Sequence, residues 1–267
     1  MAEGWSWRDR DPSRHAGLRY EPGNWGDVLK GEWALIALEA LLPRAPLRVL
    51  DPFAGAPRYP LSPASAARLD ALPAACPRFA AAQAAFRAEG ALASTAGLLG
   101  ARGASALSLA VFDKDPVRRG AWGAPAEVLE VEDGAAALLA ARGAAYDLVH
   151  VDPYDLQSEW GTLLPQALEA LAPTGVLLAY LFNKAPRGAG HLEQYGSLRR
   201  GLAQRLSPAQ RLLVGRVPAD AVLPRAHHEV LLVGPAELTE ALTPSLRASA
   251  EALTAVVACA GAFESPR

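Results

Sequence analysis

Short apolar runs, each stopping at a polar or turn residue, recur along the chain with helical stretches between them. Runs of this kind, rich in valine and leucine, read as strands buried on both faces. They fall at Leu47–Leu50, Leu107–Phe112, Glu127–Val131, Tyr146–Val151, Gly175–Phe182, Arg211–Val217 and Glu229–Val233. Between them the apolar spacing predicts helices, among them Trp33–Leu42, Gly134–Arg142 and Leu164–Leu171. Alternation of strand and helix implies right-handed crossovers and a mainly parallel sheet of α/β class. The Pro-containing connection between the last two strands has little helical character and predicts an antiparallel hairpin at one sheet edge. Two segments break the rhythm. Residues 1–22 are polar and aromatic and read as an irregular N-terminal arm ahead of one domain, 23–267. Residues 60–103, alanine-rich with Pro60, Pro63, Pro73 and Pro77, are too long for one crossover and read as a helical insertion after strand one.

Composition narrows the class. A chain of 267 residues buries an ample core without disulfides or metals. Cys76 and Cys259 stand far apart in no metal or redox pattern, and both read as ordinary buried thiols. The five histidines are not spaced with carboxylates or cysteines as metal ligands, so no metal is expected. No apolar stretch is long enough to span a bilayer, and the first residues lack the run of a secretory signal, which predicts a cytoplasmic protein. The formal net charge of −2 argues against a surface that grips nucleic acid everywhere. Its distribution is uneven, since the stretch from Lys184 to His228 carries +6 and the remainder −8. Segment 184–225 is either a solvated helix face or an RNA-binding surface, with Arg199 and Arg200 the candidate contacts.

Chemistry-bearing residues gather at the predicted strand ends. Strand one runs into Asp51-Pro52-Phe53-Ala54-Gly55, and the small residues suit a turn that a ligand must approach closely. Strand two ends in Phe112-Asp113-Lys114-Asp115-Pro116, which puts Asp113 where nucleoside-binding folds accept bonds from ribose hydroxyls and leaves Asp115 to cap the next helix. After strand three, Asp133-Gly134 can accept from an adenine amino group or cap a helix. Strand four ends in Asp152-Pro153-Tyr154-Asp155, which resembles the Asp-Pro-Pro-Tyr signature of enzymes that methylate exocyclic amines. In such a motif the carboxylate aims the amine lone pair and the ring stacks on the base.

Taken in order, these patches resemble the bacterial methyltransferases that modify an adenine amino group in large-subunit ribosomal RNA. Gly23-Asn24-Trp25-Gly26-Asp27-Val28-Leu29-Lys30 is similar to that family's Gly-Asn-x-Ala-Asp-Val-Leu-Lys segment, and Asp51-x-x-Ala54-Gly55-Ala56-x-Arg58-Tyr59 to its cofactor loop. The resemblance implies a seven-stranded Rossmann-like class I methyltransferase fold that binds S-adenosylmethionine. It implies that Lys30, Asp51, Gly55, Asp113, Asp133, Gly134 and Asp152 line the cofactor and catalytic pocket. This chain departs from the family at two points. Pro57 replaces the loop's second glycine and removes an N–H donor. The catalytic motif lacks one proline, which brings Tyr154 one residue early. Three functions therefore stand open: methylation of an amine on an RNA base, methylation of a small molecule or protein, and a silent methyltransferase-like binding module.

Overall fold

The computed structural model describes residues 22–153, 156–183, 189–219 and 226–264. The predicted arm up to residue 21, Tyr154, Asp155, Lys184, Arg187 and Arg225 lie outside the described residues.

Helix α1 (Trp25–Leu41) opens the described chain. It starts eight residues before the predicted Trp33 because Asn24 caps it: Asn24 Oδ1 accepts from the N–H of Gly26 at 2.8 Å and of Asp27 at 3.1 Å. Asp27 Oδ2 answers by accepting from Gly23 N–H at 2.8 Å. Asp27, Lys30 and Glu32 interrupt the apolar pattern of these first turns, yet all three are buried. A helix buried on nearly every side carries no amphipathic signal.

Strand β1 (Leu47–Asp51) follows, and then the insertion. The insertion is not wholly helical: β2 (Arg58–Pro60) and β3 (Ala91–Ala93) form a separate antiparallel pair around α2 (Pro63–Asp70) and α3 (Pro77–Ala88). Glu32 docks α3 on α1, since its Oε2 accepts from Phe79 N–H at 2.7 Å at the start of α3, where a carboxylate meets the positive end of the helix. Burial pushes the Glu32 pKa up. Helix α4 (Thr95–Gly103) returns the chain to β4 (Leu107–Val111).

The remaining elements are α5 (Pro116–Gly120), β5 (Glu127–Val128), α6 (Gly134–Ala140), β6 (Tyr146–Val151), α7 (Leu156–Ala170), β7 (Leu171–Asn183), α8 (Ala189–Ala203), β8 (Gln210–Pro218), β9 (His227–Pro235) and α9 (Ala236–Glu264). The main sheet has the order β5-β4-β1-β6-β7-β9-β8, with β9 antiparallel to both neighbours. This is the Rossmann-like class I methyltransferase arrangement, and the edge hairpin is the predicted one. Other elements depart from the prediction. The third strand is two residues long rather than five, because β5 is an edge strand pairing only at Glu127 and Val128. Helix α7 begins at Leu156 and carries Pro165 within it. Helix α9 was not foreseen; its Leu242, Leu246, Leu253 and Val257 are buried at helical spacing as it lies over α1 and β8.

Both sheet faces are covered, which explains the unbroken apolar runs. Successive residues alternate between two cores: Leu148, Val176, Leu178, Val230 and Leu232 pack toward α1 and α9, whereas Val149, Leu177, Ala179, Leu231 and Val233 pack toward α7 and α8. Cys76 is buried as expected, but Cys259 on α9 is exposed because it falls on the outer side of that helix.

Gly215 of β8 lies against the Trp33 indole, where an added Cβ would sit 2.2 Å from a ring atom. Gly215→Ala is expected to lower stability by about 1–3 kcal/mol through overpacking. Gly161 in α7 has open space around its Cβ position, and Gly161→Ala is expected to stabilise by up to about 1 kcal/mol. Urea unfolding midpoints of the two variants should move in opposite directions.

Candidate active site

The sheet order reverses between β1 and β6, and the carboxyl ends of strands flanking such a switch point are where open α/β sheets bind ligands. Asp51 ends β1 and His150 lies in β6; His150 Nδ1 and Asp51 Oδ2 share a hydrogen bond of 2.6 Å across the switch. Both side chains are buried, and Asp51 Oδ1 accepts from Phe53 N–H at 3.0 Å. Among the described residues His150 Nε2 has no hydrogen-bond partner.

Two residues further, Asp152 meets α1. Its Oδ2 accepts from Lys30 Nζ, and the same ammonium lies 2.8 Å from Asp27 Oδ1 and 4.7 Å from the centre of the Tyr180 ring. The Lys30 side chain is only 6 % exposed and that of Asp152 19 %. Loss of solvent is the largest influence on Asp152 and raises its pKa, against the opposing pull of Lys30 and His150. Tyr180 and His228, from β7 and β9, complete the wall: Tyr180 Oη and His228 Nδ1 are 2.7 Å apart. Burial pulls the His228 pKa down to about 4 and pushes that of Tyr180 well above 10. At neutral pH the phenol and the imidazole are therefore both uncharged and share one hydrogen bond, whose direction follows the tautomer of His228. Gly26 makes this contact with α1 possible, since a Cβ there would lie 2.5 Å from both His228 Nδ1 and Tyr180 Oη. Phe182 adds a third ring, its centre 5.1 Å from that of His228.

The loop after β1 forms the other half of the site. Gly55 holds φ +66°, a conformation that favours glycine, and its added Cβ would strike Tyr59 Oη at 2.2 Å. Ala54 N–H donates to the Phe112 carbonyl at 2.9 Å and Ala56 N–H to Tyr59 Oη at 3.0 Å. The Gly55 backbone N–H favours the charged form of the nearby Asp113. Asp113 also accepts from Asp115 N–H at 2.8 Å, and burial raises its pKa. Asp115 caps α5, with its Oδ1 2.8 Å from Val117 N. Asp133 is exposed and caps α6 by accepting from Ala136 N–H at 2.7 Å, so the capping reading is realised there. A Cβ on Gly134 would meet the Phe53 ring at 2.3 Å, and this glycine lets α6 press on the loop.

The structure thus brings Lys30 to Asp152, Asp113 to Gly55, and Asp133-Gly134 to Phe53, while Asp51 is linked to Asp152 only through the strand that carries His150. Pro153 follows Asp152 and is buried, and Tyr154 lies outside the described residues. Arg199 and Arg200 part company: Arg200 is exposed, whereas Arg199 turns onto the buried Glu229. Sequence reasoning missed Asp27, His150 and Tyr180, and gave His228 only a position, at the start of the last strand beside the substrate. Of the three missed, two left a trace, Asp27 as an acid three residues before Lys30 on one helix and His150 as a histidine inside an apolar run.

As a test of fit, acceptor-only carboxylates at Asp113 and Asp133 suit the hydroxyl and amino donors of S-adenosylmethionine. Asp51 does not serve in the same way, because both its oxygens are engaged inside the protein. The N–H groups of Phe53, Ala54 and Ala56 are likewise engaged inside the protein, and Pro57 has none.

No protein-family model matches the sequence, and no curated protein does. Among solved structures the chain is similar to protein LPL1258 from Legionella pneumophila str. Philadelphia 1, of family DUF519, with a TM-score of 0.68 at 14 % identity over 89 % of this chain and 94 % of that one. N-methyltransferase NodS from Bradyrhizobium japonicum WM9 aligns over 78 % of this chain and 96 % of its own, at 14 % identity and a TM-score of 0.43. Cofactor-bound Rv0187 from MTB aligns over 77 % and 78 %, also at 14 % identity and 0.43. The likeness to LPL1258 establishes the fold alone.

His228 gives the site a pH signature. Its folded-state pKa of about 4 lies below the ordinary 6.5, so between those values the unfolded chain binds a proton that the folded chain refuses. Its contribution is complete above pH 6.5 and is lost as pH falls toward 4, by up to about 3 kcal/mol. Chemical denaturation at pH 7 and pH 4.5 should show a stability loss in the wild type that is smaller in His228→Gln.

Proposed function

We propose that this protein is an S-adenosylmethionine-dependent methyltransferase whose acceptor is an amino group on an RNA base. The observation that carries the reading is Asp152, a desolvated carboxylate at the switch point with one oxygen held by Lys30. Lys30 fixes Oδ2, and Oδ1 remains to accept an N–H of the acceptor. An amine nucleophile needs its lone pair aimed more than it needs a strong base, and a carboxylate held in this way aims it. A raised pKa also suits Asp152 to receive the proton released once the nitrogen is methylated. Bound S-adenosylmethionine supplies the activated methyl group. Asp113 and Asp133 would hold its ribose and adenine, with Gly55 and Gly134 keeping the loop and α6 close beside it. The basic segment 184–225, with Arg200 exposed on α8, supports RNA as the acceptor.

One observation favours a second reading. A cofactor loop in which the Phe53, Ala54 and Ala56 donors are engaged by their own surroundings is what a silent, methyltransferase-like binding module would keep, and Pro57 strengthens it.

Calorimetry with S-adenosylmethionine and its demethylated product separates the two. The enzyme reading expects binding to the wild type and at least about 10-fold weaker binding to Asp133→Ala, which loses one charged hydrogen-bond partner; no heat with either ligand at sub-millimolar concentration selects the module. In methyl-transfer assays on ribosomal RNA, Asp152→Asn should lower turnover by about 100-fold or more while cofactor affinity changes only a few fold. An active Asp152→Asn enzyme with merely a lower melting temperature would remove Asp152 from the chemistry.

A further inference from the structure

Glu229 and His228 are neighbours in β9 and therefore point to opposite faces of the sheet. His228 belongs to the candidate active site. Glu229, fully buried, gathers arginines from two other elements: Arg199 of α8 meets it as a fork, Nε to Oε1 at 2.8 Å and Nη2 to Oε2, and Arg216 of β8 places Nε 2.7 Å from Oε2. Arg216 and Glu229 are directly opposed in the β8–β9 register. His227 Nε2 lies 3.6 Å from the same Oε2.

A buried carboxylate needs a partner, and its pKa here is lowered because hydrogen bonds from His227 and Arg199 outweigh the burial. One bidentate arginine would meet that need. The second leaves the cluster with a net positive charge, and it is the more exposed of the two, with 46 % of the Arg216 side chain accessible against 30 % for Arg199. Among the described residues the terminal nitrogens of Arg216 and Nη1 of Arg199 have no partner. Two planar guanidinium groups, held still by one anion and showing their remaining donors to solvent, match the oxygens of a phosphodiester.

Position strengthens the case. Glu229 pairs with Leu181 across β7–β9, and Val151, the residue before Asp152, pairs with Ala179 across β6–β7. The cluster therefore lies at the same end of the sheet as Asp152, two strands away, or about 10 Å in the pairing direction.

We propose that Arg199 and Arg216, organised by the buried Glu229, form a fork that binds the phosphodiester backbone of RNA at the rim of the candidate active site. This rests on the RNA reading of the acceptor and assigns that reading a specific contact, including Arg216 and distinguishing Arg199 from the merely exposed Arg200. The arrangement sets the register of the acceptor strand without reading its bases.

Arg216 separates this from a purely structural ion cluster, because its removal leaves Glu229 still bridged by Arg199. With the full chain and a labelled single-stranded RNA oligonucleotide of mixed sequence, Arg216→Gln is expected to weaken binding roughly 5- to 10-fold and to reduce the slope of log affinity against log salt by about one. Arg216→Lys should restore the slope and only part of the affinity. Arg247→Gln removes the same charge from an exposed position on α9, outside the basic segment, and should bind RNA as the wild type does. Melting temperatures measured alongside should show Arg216→Gln folded at the assay temperature. Salt-dependent RNA binding that is absent in the wild type, or that falls equally in Arg216→Gln and Arg247→Gln, overturns the fork. Titration with S-adenosylmethionine alone tests the methyltransferase reading separately, since loss of that binding leaves an Arg216-dependent RNA contact standing.

Discussion

The upper end of this molecule depends on one buried ammonium. Lys30 is nearly inaccessible, and an unpaired charge there would cost several kcal/mol, so α1 has to present Asp27 on one side and receive Asp152 on the other. Each partner draws in further structure. Asp27 also closes the α1 cap through Gly23, which fixes where the helix begins, and Asp152 fixes how β6 ends. Tyr180 lies under the ammonium and carries the contact to His228 and so to β9. A helix that precedes the sheet in sequence is thereby locked to the carboxyl ends of β6 and β7 and to the amino end of the antiparallel β9.

On the other side of the switch point the same economy of partners holds. Asp51 accepts from Phe53, the Phe112 carbonyl from Ala54 and Tyr59 Oη from Ala56, so most donors of this loop are satisfied inside the protein. A ligand that binds here has to exchange these internal hydrogen bonds for its own. Asp133 stands apart as an exposed carboxylate, and it is the acceptor that a nucleoside meets without such an exchange. The electrostatics of the site are therefore divided, with a closed half along β1 and β4 and a desolvated pair at Asp152.

β9 joins the two faces of the sheet. His228 turns toward α1 and is kept neutral by burial, while Glu229 turns toward α8 and is kept charged by arginines. Adjacent residues in one strand thus meet opposite demands because the pleat sends them into different surroundings. An acceptor strand lying over this end of the sheet would meet rings on one side and guanidinium groups on the other.

Much of this was legible in the residues alone. The strands β1, β4, β6, β7 and β9 announced themselves because both of their faces are largely buried, and a run of apolar side chains needs no partner to be recognised. The carboxylates at Asp51, Asp113, Asp133 and Asp152 were visible as acids ending those runs. What lay hidden was whatever depends on a distant partner. Strand β5 is an edge strand held by two residues, and α9 takes its meaning from α1 and β8 lying beneath it. Asp27, Tyr180 and His228 acquire roles only because folding brings α1, β7 and β9 to one point. Local sequence thus determined the alternation of elements and the acids at their ends, since those follow from the period of burial and from turn chemistry. The tertiary structure decided which charges pair, because a buried charge is settled by the partner nearest in space, and for Lys30 that partner lies 122 residues along the chain.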